Sequence, residues 1–248
     1  MADPHPLVRH LTEGVPPRTW SVLVTIFGDL ARAPDDEIGS PVLARMGEAM
    51  GLSPEAVRTA LHRLHKEGWL ERRRDGRHSL YGLSPRGRAE SDAAGPRIYG
   101  PEPAARAFVV LGFGEGPGYA VAPAIRIAAA PSTDPDTLSY PLETPPAWMR
   151  EVLLPAETAA LIRATRARFD ALAAAMTGTP PRDPLSTATL RVLCVHAWRR
   201  IALRLPDLPD RILPAGEDLA AAREAFAQLR AALPAPDLSA LCLPPGAA

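Results

Sequence analysis

The chain has 248 residues, and its 28 Lys plus Arg balance 28 Asp plus Glu, so it carries no formal net charge at pH 7. An apolar fraction of 46% is enough to build cores, and the length holds one large domain or two or three small ones. No stretch approaches the ~18 apolar residues of a membrane span, and the start lacks a basic-then-apolar export pattern, so a soluble cytoplasmic protein without membrane partners is expected.

Residues 1–18, with prolines at 4, 6, 16 and 17, read as a loose leader. Thr19 is placed to cap a helix through "WSVLVTIFGDLA", whose β-branched residues would also suit a strand. "RAPDDE" is a loop and "IGS" a very short strand. Ser40 then caps a helix, with Pro41 in its first position and Gly51 as its stop. Ser53 and Pro54 repeat the device, opening "PEAVRTALHRLHKE", which ends at Gly68. Two short helices joined by a tight glycine-containing turn form a helix-turn-helix pattern. The next runs, "WLERRR" and "RHSLYGL", flank Asp75-Gly76, a hairpin signal in which both turn residues are expected at positive φ. This order is that of a winged helix.

"SPRGRAESDAAGPRIYGP" reads as a boundary. The stretch from about 100 to 150 is rich in Gly and Pro, with strand-like runs at "AFVVLGF" and "GYAVAPAIRIAAA". From about 155 the pattern turns helical: Ile162, Phe169, Leu172 and Met176 share a face with Thr165, and Gly178 ends that helix. Further helices are expected over Leu185–Leu203 and Asp218–Leu233, with an extended tail. The domains drawn from this are a leader (1–18), a winged helix (19–95), a small α/β middle domain (96–152) and a helical C-terminal domain (153–248), an α+β class overall.

The chemistry concentrates in one block. Between Ser53 and Glu90 nine Arg or Lys stand against five Asp or Glu, a local excess of four in a neutral chain. On the second helix Val57, Ala60, Leu61 and Leu64 fall at i, i+3, i+4 and i+7 and form its buried face. Arg58, Thr59, His62, Arg63 and Lys66 take the opposite face, where hydrogen-bond donors, a methyl group and positive charge can reach base edges and phosphates in a major groove. In the hairpin, strand alternation separates the arginines between two faces, and Arg73, Arg74 and Arg77, nearest the turn, are the candidates for phosphate or minor-groove contact. With Ser53 at the helix start, these residues are the candidate binding surface for double-stranded operator DNA. Trp69, Leu70, Leu80 and Tyr81 are the expected packing residues of the hairpin. Two readings compete: a charged face that is merely solvated, and a small-molecule sensor or interaction protein whose winged helix makes protein contacts rather than binding DNA.

"VLVTIFGDL", "GLSPEAVRTALHRLHKEGWLERRRDGRHSLYGLSPRGR" and "RIYGP", together with "VLCVHAWRRIALRLPDLPDRILP", resemble the PaaX-type transcriptional repressors of phenylacetate catabolism. The resemblance implies a winged helix, a ferredoxin-like middle domain and a helical C-terminal domain. It also implies a homodimer that represses catabolic genes and leaves DNA on binding an aryl-acyl-CoA. Two features depart from the family. Only a dozen residues separate Tyr99 from Gly112-Phe113, where the family has a strand and a helix, so the middle domain looks shortened. The tryptophan expected after the "LLP"-like motif is absent from "ILPAGEDLAAA".

Other motifs carry less. "GFGEGPGY" has Pro117 where a dinucleotide fingerprint needs its third glycine. Cys194 and His196, two apart on a helix, point in different directions and share no site. Cys194 is expected in the core. His196, Arg199 and Arg200 are expected to line a polar edge that either binds an anionic effector such as an acyl-CoA or makes a domain or dimer contact. No carboxylate pair, catalytic triad order or metal motif supports an enzyme, and no cofactor is expected.

Overall fold

The computed structural model describes residues 6–13, 17–102, 104–113, 115–178, 180–181 and 183–242. The protein is α+β, and its described residues form nine α-helices, seven strands and two short 3₁₀ turns. The chain divides into two compact units, neither continuous in sequence: residues 1–96, 168–199 and 225–248, and residues 97–167 and 200–224.

The first unit begins with α1 (Pro6–Thr12), inside the segment expected to be a loose leader. Leu7, Val8 and Leu11 recur at helical spacing and are buried, which is enough to order it. Helix α2 (Thr19–Leu30) buries Val22, Leu23, Ile26 and Phe27. Thr19 is its first helical residue; the cap position falls to Arg18, which makes no side-chain capping bond. Strand β1 (Ile38–Gly39) leads into α3 (Ser40–Ala49). Ser40 does not cap that helix either. Its hydroxyl instead accepts the N–H of Ser79 at 3.4 Å, tying the helix start to a strand.

At α4 (Pro54–Lys66) the expected device is present: Ser53 Oγ accepts the Ala56 N–H at 3.1 Å. Val57, Ala60, Leu61 and Leu64 are its buried residues. Full burial of one such aliphatic side chain stabilises by about 1.5–3 kcal/mol, whereas a cap contributes ~1 kcal/mol. Burial therefore decides which face points outward, and the cap decides where the helix starts. Both α3 and α4 end in the same motif. Leu52 N–H bonds Gly47 O at 2.8 Å and Gly51 N–H bonds Glu48 O at 2.9 Å; Trp69 N–H bonds Leu64 O at 2.9 Å and Gly68 N–H bonds His65 O at 3.0 Å. Gly51 and Gly68 sit at φ 78° and 74°, the left-handed conformation this motif requires.

Strands β2 (Leu70–Asp75) and β3 (His78–Leu83) form an antiparallel hairpin, and β1 adds to β3, giving the order β1-β3-β2. Asp75 pairs with His78, so the two loop residues are Gly76 and Arg77, not Asp75 and Gly76. Only Gly76 has positive φ, at 56°; glycine first in a two-residue loop is the placement of type II′ turns.

The segment expected as a boundary is helix α5 (Pro85–Tyr99). Ser84 opens it, accepting the Gly87 N–H at 3.0 Å while donating to Gly68 O at 2.6 Å. The first unit is completed by parts of α7 (Ala156–Gly178), α8 (Pro184–Ala202) and α9 (Gly216–Ala232). Phe169, Trp198 and Phe226 stack there, with Trp198 and Phe226 centroids 5.4 Å apart and Phe226 and Phe169 6.3 Å apart. The tail contains a 3₁₀ turn at Leu238–Cys242 where an extended run was expected.

The second unit holds strands β4 (Phe108–Leu111), β5 (Tyr119–Ala122), β6 (Ile125–Ala128) and β7 (Leu138–Pro141) in an antiparallel sheet of order β5-β6-β4-β7. The described residues of the connections between these strands contain no helix. Helix α6 (Ala147–Leu153) follows. The run from Leu205 to Leu213 is a packing knot: Leu205, Leu208, Ile212 and Leu213 are buried, and Asp210 accepts two bonds from Arg223, each 3.0 Å. The Asp210 N–H bonds Glu102 at 2.6 Å, and the Asp207 N–H bonds the Tyr119 hydroxyl at 2.9 Å.

Candidate nucleic-acid interface

The hydrophobic stripe of α4 faces α2 and α3, which turns Arg58, Thr59, His62, Arg63 and Lys66 outward; all five are exposed. Ser53 is exposed as well, but its hydroxyl oxygen is engaged in the cap. The close approach of α3 to α4 requires Gly47, where a Cβ would lie 2.6 Å from Val57 Cγ2.

In the hairpin, the register places Leu70, Arg72, Arg74, Ser79, Tyr81 and Leu83 on one face and Glu71, Arg73, Asp75, His78, Leu80 and Gly82 on the other. Leu70, Tyr81 and Leu83 are buried, so the first face packs inward at its base and reaches solvent near the turn. Trp69 and Leu80 are half-buried. Arg73, Arg74 and Arg77 are exposed.

These cations are not equivalent. Arg58, Lys66, Arg74 and Arg77 make no ion pair among the described residues. Arg63 donates its Nε to Glu67 at 2.7 Å, and Arg73 grips Glu37 through Nε at 3.2 Å and a terminal nitrogen at 2.6 Å. The Glu37 hydrogen bond holds the Arg73 guanidinium above its ordinary pKa. Sequence reasoning missed both carboxylates. Glu67 was visible as the residue four after Arg63; Glu37, 36 positions from its partner, left no local signal.

His196 and Arg199 do not line an exposed edge. His196 is buried, with Nδ1 3.3 Å from Thr25 Oγ1, and Arg199 donates to the same oxygen at 3.0 Å and to Ser21 O at 3.3 Å. Thr25 gives its one hydroxyl proton to Ser21 O at 3.0 Å. Its oxygen accepts the Arg199 bond, and the direction of its contact with His196 Nδ1 is set by the imidazole tautomer. Both side chains thus bond α2 within the first unit. Arg200, next on α8, is half-buried. Cys194 is in the core as expected, and burial pushes its thiol pKa far up. Among the described residues no group of three or more His, Cys, Asp or Glu is placed to hold a metal ion, and no helix is long and apolar enough to cross a membrane.

In this α+β protein of zero formal net charge, a helix with an apolar underside and a cationic outer face stands beside an arginine-rich hairpin. The chain matches the family model described as PaaX-like protein over residues 18–87 and that of the PaaX-like protein C-terminal domain over residues 156–238. The two segments take in more than half of its length, and the chain belongs to the PaaX-like protein family. It is 38% identical over 92 residues to "Transcriptional repressor PaaX" of Escherichia coli (strain K12), a match covering 37% of this chain and 29% of that repressor, well under two thirds of the relative's length.

Proposed function

We propose that the protein is a DNA-binding transcriptional regulator, a cytoplasmic repressor rather than an enzyme. The observation that carries this reading is the segregation on α4: four apolar residues inward, and Arg58, Thr59, His62, Arg63 and Lys66 outward. With α3 before it and the β2–β3 hairpin after it, α4 is the recognition helix of a winged helix-turn-helix. It reads base edges while Arg74 and Arg77 on the wing hold phosphates. Ser53 serves through its cap, and Arg73 contributes less than its neighbours because Glu37 already occupies it. The similarity to a named repressor supports the same reading.

The middle sheet, numbered by its own strands, has the order 2-3-1-4, which is that of a ferredoxin-like sheet, and the described residues of its connections hold no crossover helix. This fits the shortened domain expected between residues 96 and 152. A homodimer would present two recognition helices to two half-sites. By family resemblance the effector is an acyl-CoA thioester, and His196 and Arg199 of α8, which bond Thr25 of α2 within the fold, are our candidates for coupling its binding to that helix. Because His196 and Arg199 already bond α2, and α2 packs against α4, a ligand displacing those bonds would pull on the recognition helix.

The test is a gel shift with the promoter region beside the protein's own gene, with and without acyl-CoA esters. Retarded duplex released by an ester supports both parts of the reading. Failure to retard any duplex at low salt sinks it.

A further inference from the structure

Glu67 stands where local rules disfavour it. It occupies the C-terminal cap of α4, at the negative end of the helix dipole, and on a surface proposed to meet a polyanion. A carboxylate there opposes binding unless it does something else, and local rules are broken most often at functional sites.

Its contacts say what that is. One carboxylate oxygen accepts Arg63 Nε at 2.7 Å, and the other accepts the indole N–H of Trp20 at 3.3 Å. Trp20 is fixed in turn, edge-on to Trp69 with ring centroids 6.1 Å apart. The Glu67 backbone carbonyl accepts a further bond from Arg86 at 3.0 Å. The Arg63 hydrogen bond keeps the Glu67 carboxyl below the ordinary glutamate range, so it is charged at neutral pH. Arg63, 66% exposed at its side chain, would otherwise sample many rotamers. Held by Nε, it keeps two terminal amino groups with no partner among the described residues, and guanidinium nitrogens of this kind fork onto guanine O6 and N7.

We propose that Glu67 is a positioning residue for specificity: braced by Trp20, it aims the Arg63 guanidinium and trades general affinity for base discrimination. This role rests on the DNA-binding reading above.

The test uses the full chain, the duplex that the parent protein enriches from a randomised library, and a shuffled duplex of equal length and composition. Glu67→Ala lowers the ratio of affinities for the two duplexes by about tenfold, the scale of a weakened bidentate contact, without weakening binding to the shuffled one. Glu67→Gln keeps an acceptor oxygen for Arg63 Nε and retains most of the ratio. In an Arg63→Ala background, Glu67→Ala changes the ratio no further. The nitrogen-15 NMR signal of Arg63 Nε, read without DNA, shifts in Glu67→Ala and stays nearer the parent in Glu67→Gln.

An unchanged ratio and an unmoved Nε signal overturn the role while leaving the regulator reading intact. So does an equal fall in Glu67→Ala, in Glu67→Gln and in the Arg63→Ala background, since charge alone would then explain it. A parent protein that enriches no duplex overturns the regulator reading itself, and the positioning role with it.

Discussion

Arg191 of α8 holds Asp29 of α2 through two bonds, Nε to one carboxylate oxygen at 2.7 Å and a terminal nitrogen to the other at 3.1 Å. Its remaining terminal nitrogen bonds Arg230 O at 3.3 Å and Leu233 O at 2.9 Å at the end of α9. The two side chains are 12% and 2% exposed, so one arginine clamps three helices of the first unit.

Removing one partner strands a buried charge. Asp29→Ala should therefore cost about 3–5 kcal/mol, read as a lower urea midpoint, whereas replacing both Asp29 and Arg191 with packed apolar residues should cost far less. Equal losses from the single and double variants would show that the pair is not a desolvated unit.

Gly87 lies near the start of α5, where alanine would ordinarily be favoured by ~1 kcal/mol. Here an added Cβ would collide with the backbone oxygen of Trp69, which cannot rotate away. Gly87→Ala should destabilise by about 1–3 kcal/mol, the cost of overpacking. A stabilised variant in thermal or urea unfolding would contradict the docking of α5 on the turn after α4.

Cys194 should be inert in the folded protein. It is buried, and desolvation raises its pKa, so the reactive thiolate is scarce and unreachable until the chain opens. In a Cys242→Ser background, reaction with a thiol reagent should track unfolding by denaturant. Rapid labelling of native protein would refute the burial.

Much of this could be read from the chain, and the failures have physical causes. The Ser53-Pro54 opening, the Gly51 and Gly68 stops and the inward stripe of α4 depend on neighbours within five residues, so sequence carries them. Ser84-Pro85 is a third copy of the same sequence pattern and opens α5, and the division between the two units falls in the same stretch, between Pro96 and Arg97. Ser40 looked like a cap and was drawn off by Ser79, 39 positions away. The contact between His196 and Thr25 likewise joins residues 171 positions apart. Pairing across such distances leaves no local trace.

The arginines of the proposed interface should differ in kind. Arg63→Ala should relax sequence choice and cost about 1–3 kcal/mol on the preferred duplex. Arg74→Ala should weaken all duplexes alike, and Arg73→Ala should do so less, because Glu37 already holds that side chain. Competition binding on preferred and shuffled duplexes separates these outcomes; three identical profiles would show that the helix and the hairpin are not doing different jobs.

The most direct test of the central claim is the salt dependence of duplex affinity. A dimer neutralising about four phosphates per half-site predicts that log K falls with log salt at a slope of about −7. An affinity indifferent to salt, or no duplex binding at low salt, would contradict the assignment of this cationic surface to DNA.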